Sequence, residues 1–128
     1  MNESKKEILI IDDEVDFRLL LAEVFVEQGY KVITARNGEE ALELLRTGKT
    51  FPDLITVDVN MPVTDGMKFR EEVLKMNPRA PIVMISGFLP PQPSALTGVR
   101  AYLTKPLDKL QLLSVLEQHR YYTSSDNL

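Results

Sequence analysis

The chain has 128 residues, of which 44% are apolar and 27% charged. That is the size and balance of one globular domain with a real core. Its 19 acidic and 15 basic residues leave a net charge of −4, with no block of like charge, so direct nucleic-acid binding is not expected, because phosphate neutralisation needs clustered Lys and Arg. Cysteine is absent, which excludes disulfides, thiol nucleophiles and thiolate metal sites and fits a cytoplasmic protein. No long apolar run follows the polar start Met1–Glu7, so neither a signal peptide nor a membrane span is expected.

Glu7–Ile11 (EILII) is a short apolar run and predicts a buried strand, followed at once by Asp12 and Asp13. From Glu14 to Gln28 the spacing is helical, with Phe17, Leu20, Leu21 and Val24 on one face and Gly29 as the C-terminal stop. Val15, Leu19, Ala22 and Val26 form a second apolar stripe on the other side of this helix; such stripes mark contact surfaces, and a partner protein or a second copy is expected there. Tyr30–Ala35 is β-branched and predicts a strand, and Asn37 caps a helix from Gly38 to about Thr47.

Pro52–Asp58 predicts a third strand, and Asp65-Gly66 turns into a helix from about Met67 to Met76, with Met67, Met76 and Met84 expected as core filler. Pro81–Ser86 and Val99–Leu103 predict the fourth and fifth strands. Pro90, Pro91 and Pro93 interrupt the segment between them, so its helix should be shortened or lost, leaving about a turn near Ser94–Leu96. Asp108 caps a last helix whose buried side carries Leu112, Leu113 and Leu116. The domain is expected to span residues 1–120, with 121–128 as a polar, frayed tail and His119 on the surface. Strands alternating with helices imply an α/β, doubly wound, five-stranded parallel sheet of flavodoxin-like order 2-1-3-4-5, whose ligands bind beyond the carboxyl ends of the strands.

The polar residues collect at those ends. Asp12 and Asp13 follow the first strand, Asp58 ends the third, Ser86 ends the fourth and Lys105 follows the fifth. Three crowded carboxylates repel one another, and a divalent cation relieves this. With only oxygen donors, Mg²⁺ is the natural ion and Mn²⁺ a possible one. A carboxylate nucleophile, a metal, a lysine that holds an oxygen as a point charge and a donating hydroxyl together make a phosphoryl-transfer site.

The runs IDDE (11–14), DLITVDVNMPVTDG (53–66), PIVMISG (81–87) and AYLTKP (101–106) resemble the receiver domains of response regulators in two-component phosphorelays, in order and over nearly the whole chain. The resemblance implies that Asp58 accepts a phosphoryl group from a phosphohistidine donor and later loses it slowly to water. Asp13 and Asp58 would bind Mg²⁺ directly with the backbone carbonyl of Asn60, and Asp12 would act through water or orientation. Ser86 and Lys105 would bind the phosphoryl group, and Tyr102 would be the aromatic switch. A histidine kinase or histidine phosphotransfer protein is the implied donor. Such a module is a phospho-acceptor and not an enzyme with a separate substrate.

Two other readings stand beside it. A haloacid-dehalogenase-type phosphatase also uses an Asp nucleophile with Mg²⁺, but it needs a second Asp two residues on, where this chain has Asn60. A pseudo-receiver would bind proteins without phosphate; only the odd Gly87–Gly98 segment favours it. In that segment Phe88 is expected to shield an acyl phosphate.

Overall fold

Each expected apolar run becomes a strand of one sheet. The computed structural model describes residues 6–59, 66–87 and 93–126. Strands β1 (Glu7–Ile11), β2 (Lys31–Ala35), β3 (Leu54–Asp58), β4 (Ile82–Ser86) and β5 (Val99–Thr104) are all parallel and lie in the order β2-β1-β3-β4-β5. Helices α1 (Val15–Glu27), α2 (Gly38–Arg46), α3 (Gly66–Met76) and α4 (Lys109–Asp126) complete the described elements. Among the described residues between β4 and β5, Pro93–Leu96 forms a 3₁₀ turn. Proline lacks an amide donor and fits the first turn of a helix but not its interior, so a one-turn element starting at Pro93 is what this sequence permits.

The central strands are buried on both faces, which explains why β1, β3 and β4 read as continuous apolar runs. Alternation along them feeds two cores. On one face Leu9, Ile11, Ile55, Val57, Ile82 and Met84 pack with Ala41 and Leu42 of α2 and Phe69 and Val73 of α3. On the other, Ile8, Ile10, Leu54, Val83 and Ile85 pack with Leu21, Val24 and Phe25 of α1 and Leu112, Val115 and Leu116 of α4.

Local signals end the helices as expected. Gly29 adopts φ 92° just past α1, where a residue with a Cβ would be strained, and its N–H donates to Val26 O at 3.0 Å. The Asn37 side chain accepts from Glu40 N at 2.8 Å. Asp108 and Gln111 satisfy each other's amides reciprocally, at 2.8 and 2.9 Å, in a capping box at the start of α4.

Four expectations need correction. Leu20 is 48% exposed; the packed face of α1 runs through Leu21, Val24 and Phe25, and Leu20 falls at its edge. Met76, at the last position of α3, is equally exposed and does not fill the core. Helix α4 continues to Asp126 through the stretch read as a frayed tail: it contains no Gly or Pro, and propagating an existing helix is far easier than starting one. His119 is buried, with Arg100 Nη1 3.1 Å from its Nδ1.

A register shift gives β5 its facing. Ile82 pairs with Val99 but Val83 pairs with Ala101, so Arg100 is an extra residue in β5. Such a bulge resets the two-residue alternation. Ala101 and Leu103 therefore join the core beneath α1 and α4, and Tyr102 packs against the core beneath α2 and α3. Without the extra residue, Tyr102 would face the opposite side of the sheet.

Candidate functional site

The site residues lie at the carboxyl ends of four strands, β1, β3, β4 and β5. Asp12 leaves the end of β1 and is 1% exposed. Its N–H donates to Ala35 O at 3.2 Å, and its Oδ1 accepts from Glu14 N at 2.8 Å, which turns the chain into α1. Arg18 donates from Nη1 to the Asp12 carbonyl at 2.7 Å and ties the first turn of the helix to this loop. Asp13 next to it is exposed. Asp58, the last residue of β3, is 6% exposed and pairs in the sheet with Ile85.

Asp12, Asp13 and Asp58 each bring a carboxylate oxygen within 4.8 Å of the others. Lys105, just past β5, reaches into this group: its Nζ lies 3.2 Å from Asp12 Oδ2 and 3.6 Å from Asp58 Oδ2. Three carboxylates against one ammonium leave a formal charge of −2. All donors are oxygens and one of the three acids is open to solvent, which fits a hard divalent cation that keeps part of its water. The donor set therefore suits Mg²⁺ or Mn²⁺.

Burial by itself lowers the Lys105 pKa; Asp12 and then Asp58 outweigh it, and the ammonium is held above its ordinary range. Lys105 is thus a fixed positive charge at neutral pH. The Lys105–Pro106 peptide bond is cis. The Lys105 N–H donates to Ser86 O at 2.6 Å, which brings the ends of β4 and β5 together. Ser86 is fully buried, and Tyr102 is partly buried one strand away.

The fold brings together Asp12, Asp13, Asp58 and Lys105, with Ser86 on the adjoining strand end. Asn60 and Phe88 lie outside the described residues. Of the apolar stripe on α1, Val15, Leu19 and Val26 are 55%, 62% and 58% exposed, while Ala22 is half-buried against the core. Sequence reasoning missed three contributors. Phe17, read only as a core residue, also lies under the Lys105 ammonium, 4.2 Å from Nζ to the ring centre. Arg18 carried no signal beyond its position six residues after Asp12. Gly66, read as a turn residue, packs so close to the backbone of Asp58 and Val59 that a Cβ would lie 2.8 and 2.6 Å from Asp58 O and Val59 Cα.

Residues 8–117 match the family model described as the response regulator receiver domain. Over 118 residues the chain is 30% identical to the chemotaxis protein CheY of Thermotoga maritima, covering 88% of this chain and 96% of that protein. It is 32% identical over 120 residues to the transcriptional regulatory protein GlrR of Escherichia coli K12, covering 91% of this chain but only 27% of GlrR. Among solved structures it is similar to the response regulator TrrA of Thermotoga maritima in complex with Mg²⁺ and BeF, with a TM-score of 0.80, 30% identity, and coverage of 89% of this chain and 98% of TrrA.

Proposed function

Since the chain belongs to the response regulator receiver family of two-component signalling, we propose that it accepts a phosphoryl group on Asp58 from a phosphohistidine of a sensor kinase or histidine phosphotransfer protein. A carboxylate oxygen of Asp58 attacks phosphorus. The P–O bond forms as the P–N bond breaks, and the imidazole nitrogen leaves with the electron pair. Slow hydrolysis later adds water at phosphorus and returns the free carboxylate and inorganic phosphate. The observation that carries this reading is the buried Asp58 held 3.6 Å from Lys105 beside two further acids.

The roles follow from position and charge. Lys105 neutralises charge on a phosphoryl oxygen, and the Ser86 hydroxyl donates to another. Asp13 and Asp58 would hold Mg²⁺ with the carbonyl of Asn60, and Asp12 would orient it through water. When bound, the ion supplies charge neutralisation at the transferring group. Tyr102 acts as the switch, moving when Ser86 is drawn to the phosphate. The exposed Val15, Leu19 and Val26 face of α1 docks the donor protein or a second copy. Among the described residues no helix is long and apolar enough to cross a membrane, and a cytoplasmic role without direct nucleic-acid contact suits the composition.

A pseudo-receiver is not favoured, because none of the acids or the lysine is missing from the cluster. The test is intact mass after incubation with acetyl phosphate and Mg²⁺. One added phosphoryl group on the wild type, none on Asp58→Asn and none with chelator is the expected result. An unmodified wild type, or equal modification of Asp58→Asn, overturns the reading.

A further inference from the structure

Among the described residues, three groups lie against the Lys105 ammonium, and two of them are carboxylates. Asp12 and Asp58 attract the ammonium at 3.2 and 3.6 Å. The third group is the ring of Phe17, whose centre is 4.2 Å from Nζ. An aromatic face carries negative quadrupolar potential and attracts a cation most strongly where water is partly excluded. A lysine ammonium sits on a flexible four-carbon stem, and two nearby carboxylates alone would let it lean toward either one. The ring bounds the ammonium on a third side.

The ring is itself anchored. It sits in the first turn of α1 and packs against the core that Leu21, Val24 and Leu112 share. The neighbouring Arg18 bonds the Asp12 carbonyl at 2.7 Å, so this turn and the Asp12 loop are tied together. Ring, acid and ammonium are therefore fixed with respect to one another.

We propose that Phe17 is a positioning residue: its ring face confines the Lys105 ammonium beside Asp58, where it can take up an oxygen of the arriving phosphoryl group. The inference rests on Asp58 being the phospho-acceptor and adds to that reading a residue from outside the charged cluster. A leucine would fill the same core notch but has no quadrupole, whereas a tyrosine keeps it. The pair separates positioning from packing.

The experiment compares wild type, Phe17→Leu and Phe17→Tyr, with urea midpoints measured to confirm folding. The first readout is the NMR shift of the Lys105 ε-protons, without phosphate. A ring-current displacement in wild type and Phe17→Tyr, absent in Phe17→Leu, is expected. The second is the rate of phosphorylation by acetyl phosphate with Mg²⁺. Phe17→Leu should be slower by roughly threefold to tenfold, with Phe17→Tyr within about twofold of wild type. No ring-current shift in a wild type that still takes phosphate overturns the inference and leaves the Asp58 reading standing. Equal rates for wild type and Phe17→Leu, or equal losses in both variants, also overturn it. A wild type that takes no phosphoryl group overturns the Asp58 reading and the role of Phe17 with it.

Discussion

Replacing Gly66 with alanine adds one methyl group where α3 begins, directly behind the residue that ends β3. Its Cβ would lie 2.6 Å from Val59 Cα and 2.8 Å from Asp58 O. Carbon contacts are comfortable at about 3.5–4.0 Å, so the carbon–carbon overlap is roughly 1 Å. Both neighbours are backbone atoms and cannot rotate away; either the helix start or the β3 end must move. Overpacking of this kind costs about 1–3 kcal/mol. The better helix propensity of alanine offsets about 0.5–1 kcal/mol of that. With rigid backbone on the receiving side, the net loss should lie near the top of the difference, about 2 kcal/mol. For a small domain that lowers the urea midpoint by about 1 M. Because the displaced atoms belong to Asp58 and Val59, phosphorylation by acetyl phosphate should slow as well. Gly87→Ala is the control. It also borders the site, next to Ser86, but its Cβ would meet nothing within 4 Å, and its midpoint should stay near that of wild type. A Gly66→Ala protein that unfolds at the wild-type midpoint would refute the steric argument, and so would a Gly87→Ala loss of the same size.

Two other expectations test separate parts of the molecule. His119 is held below its ordinary pKa by burial first and by Arg100 next, with Asp53 opposing and Lys6 adding a little. Below about pH 6.5 the unfolded chain therefore binds the proton more readily than the folded one, so stability is full above that pH, falls as the pH drops toward the folded pKa and then levels off. Urea midpoints at pH 7.5, 6.5 and 5.5 should fall more steeply for wild type than for His119→Gln; parallel curves would remove His119 as the cause. On α1, Leu19→Glu places a charge in the middle of the exposed stripe. Phosphotransfer from a histidine donor protein, or self-association, should weaken on the order of tenfold, as for one strong interface contact, while modification by acetyl phosphate stays unchanged. No effect on either protein contact would leave that face as ordinary solvent-exposed surface.

The sequence by itself determined the order of elements and the end of the sheet where chemistry collects. Short apolar runs rich in β-branched residues, such as LITVD and IVMIS, read as buried strands when helical segments with one apolar face separate them, and a doubly wound sheet then brings Asp12, Asp58 and Lys105 to one edge. The capping signals at Gly29, Asn37 and Asp108 were equally legible, because they depend on residues only two to four positions apart. Tertiary structure alone decided the rest. Whether Phe17 is core filler or the wall beside Lys105 depends on two residues 88 positions apart in the chain meeting across α1 and β5. His119 became a buried residue because α4 packs over the sheet, with Arg100 Nη1 3.1 Å from the His119 Nδ1, and the bulge at Arg100 decides which side of the sheet receives Tyr102. A one-residue register shift leaves no mark on composition or periodicity in a strand as short as VRAYLT, since alternation can be read in either phase; only pairing with β4 selects one. Gly66 follows the same logic: the sequence read it as a turn residue, and the backbone of Asp58 and Val59, brought against it by folding, is what requires it to lack a side chain.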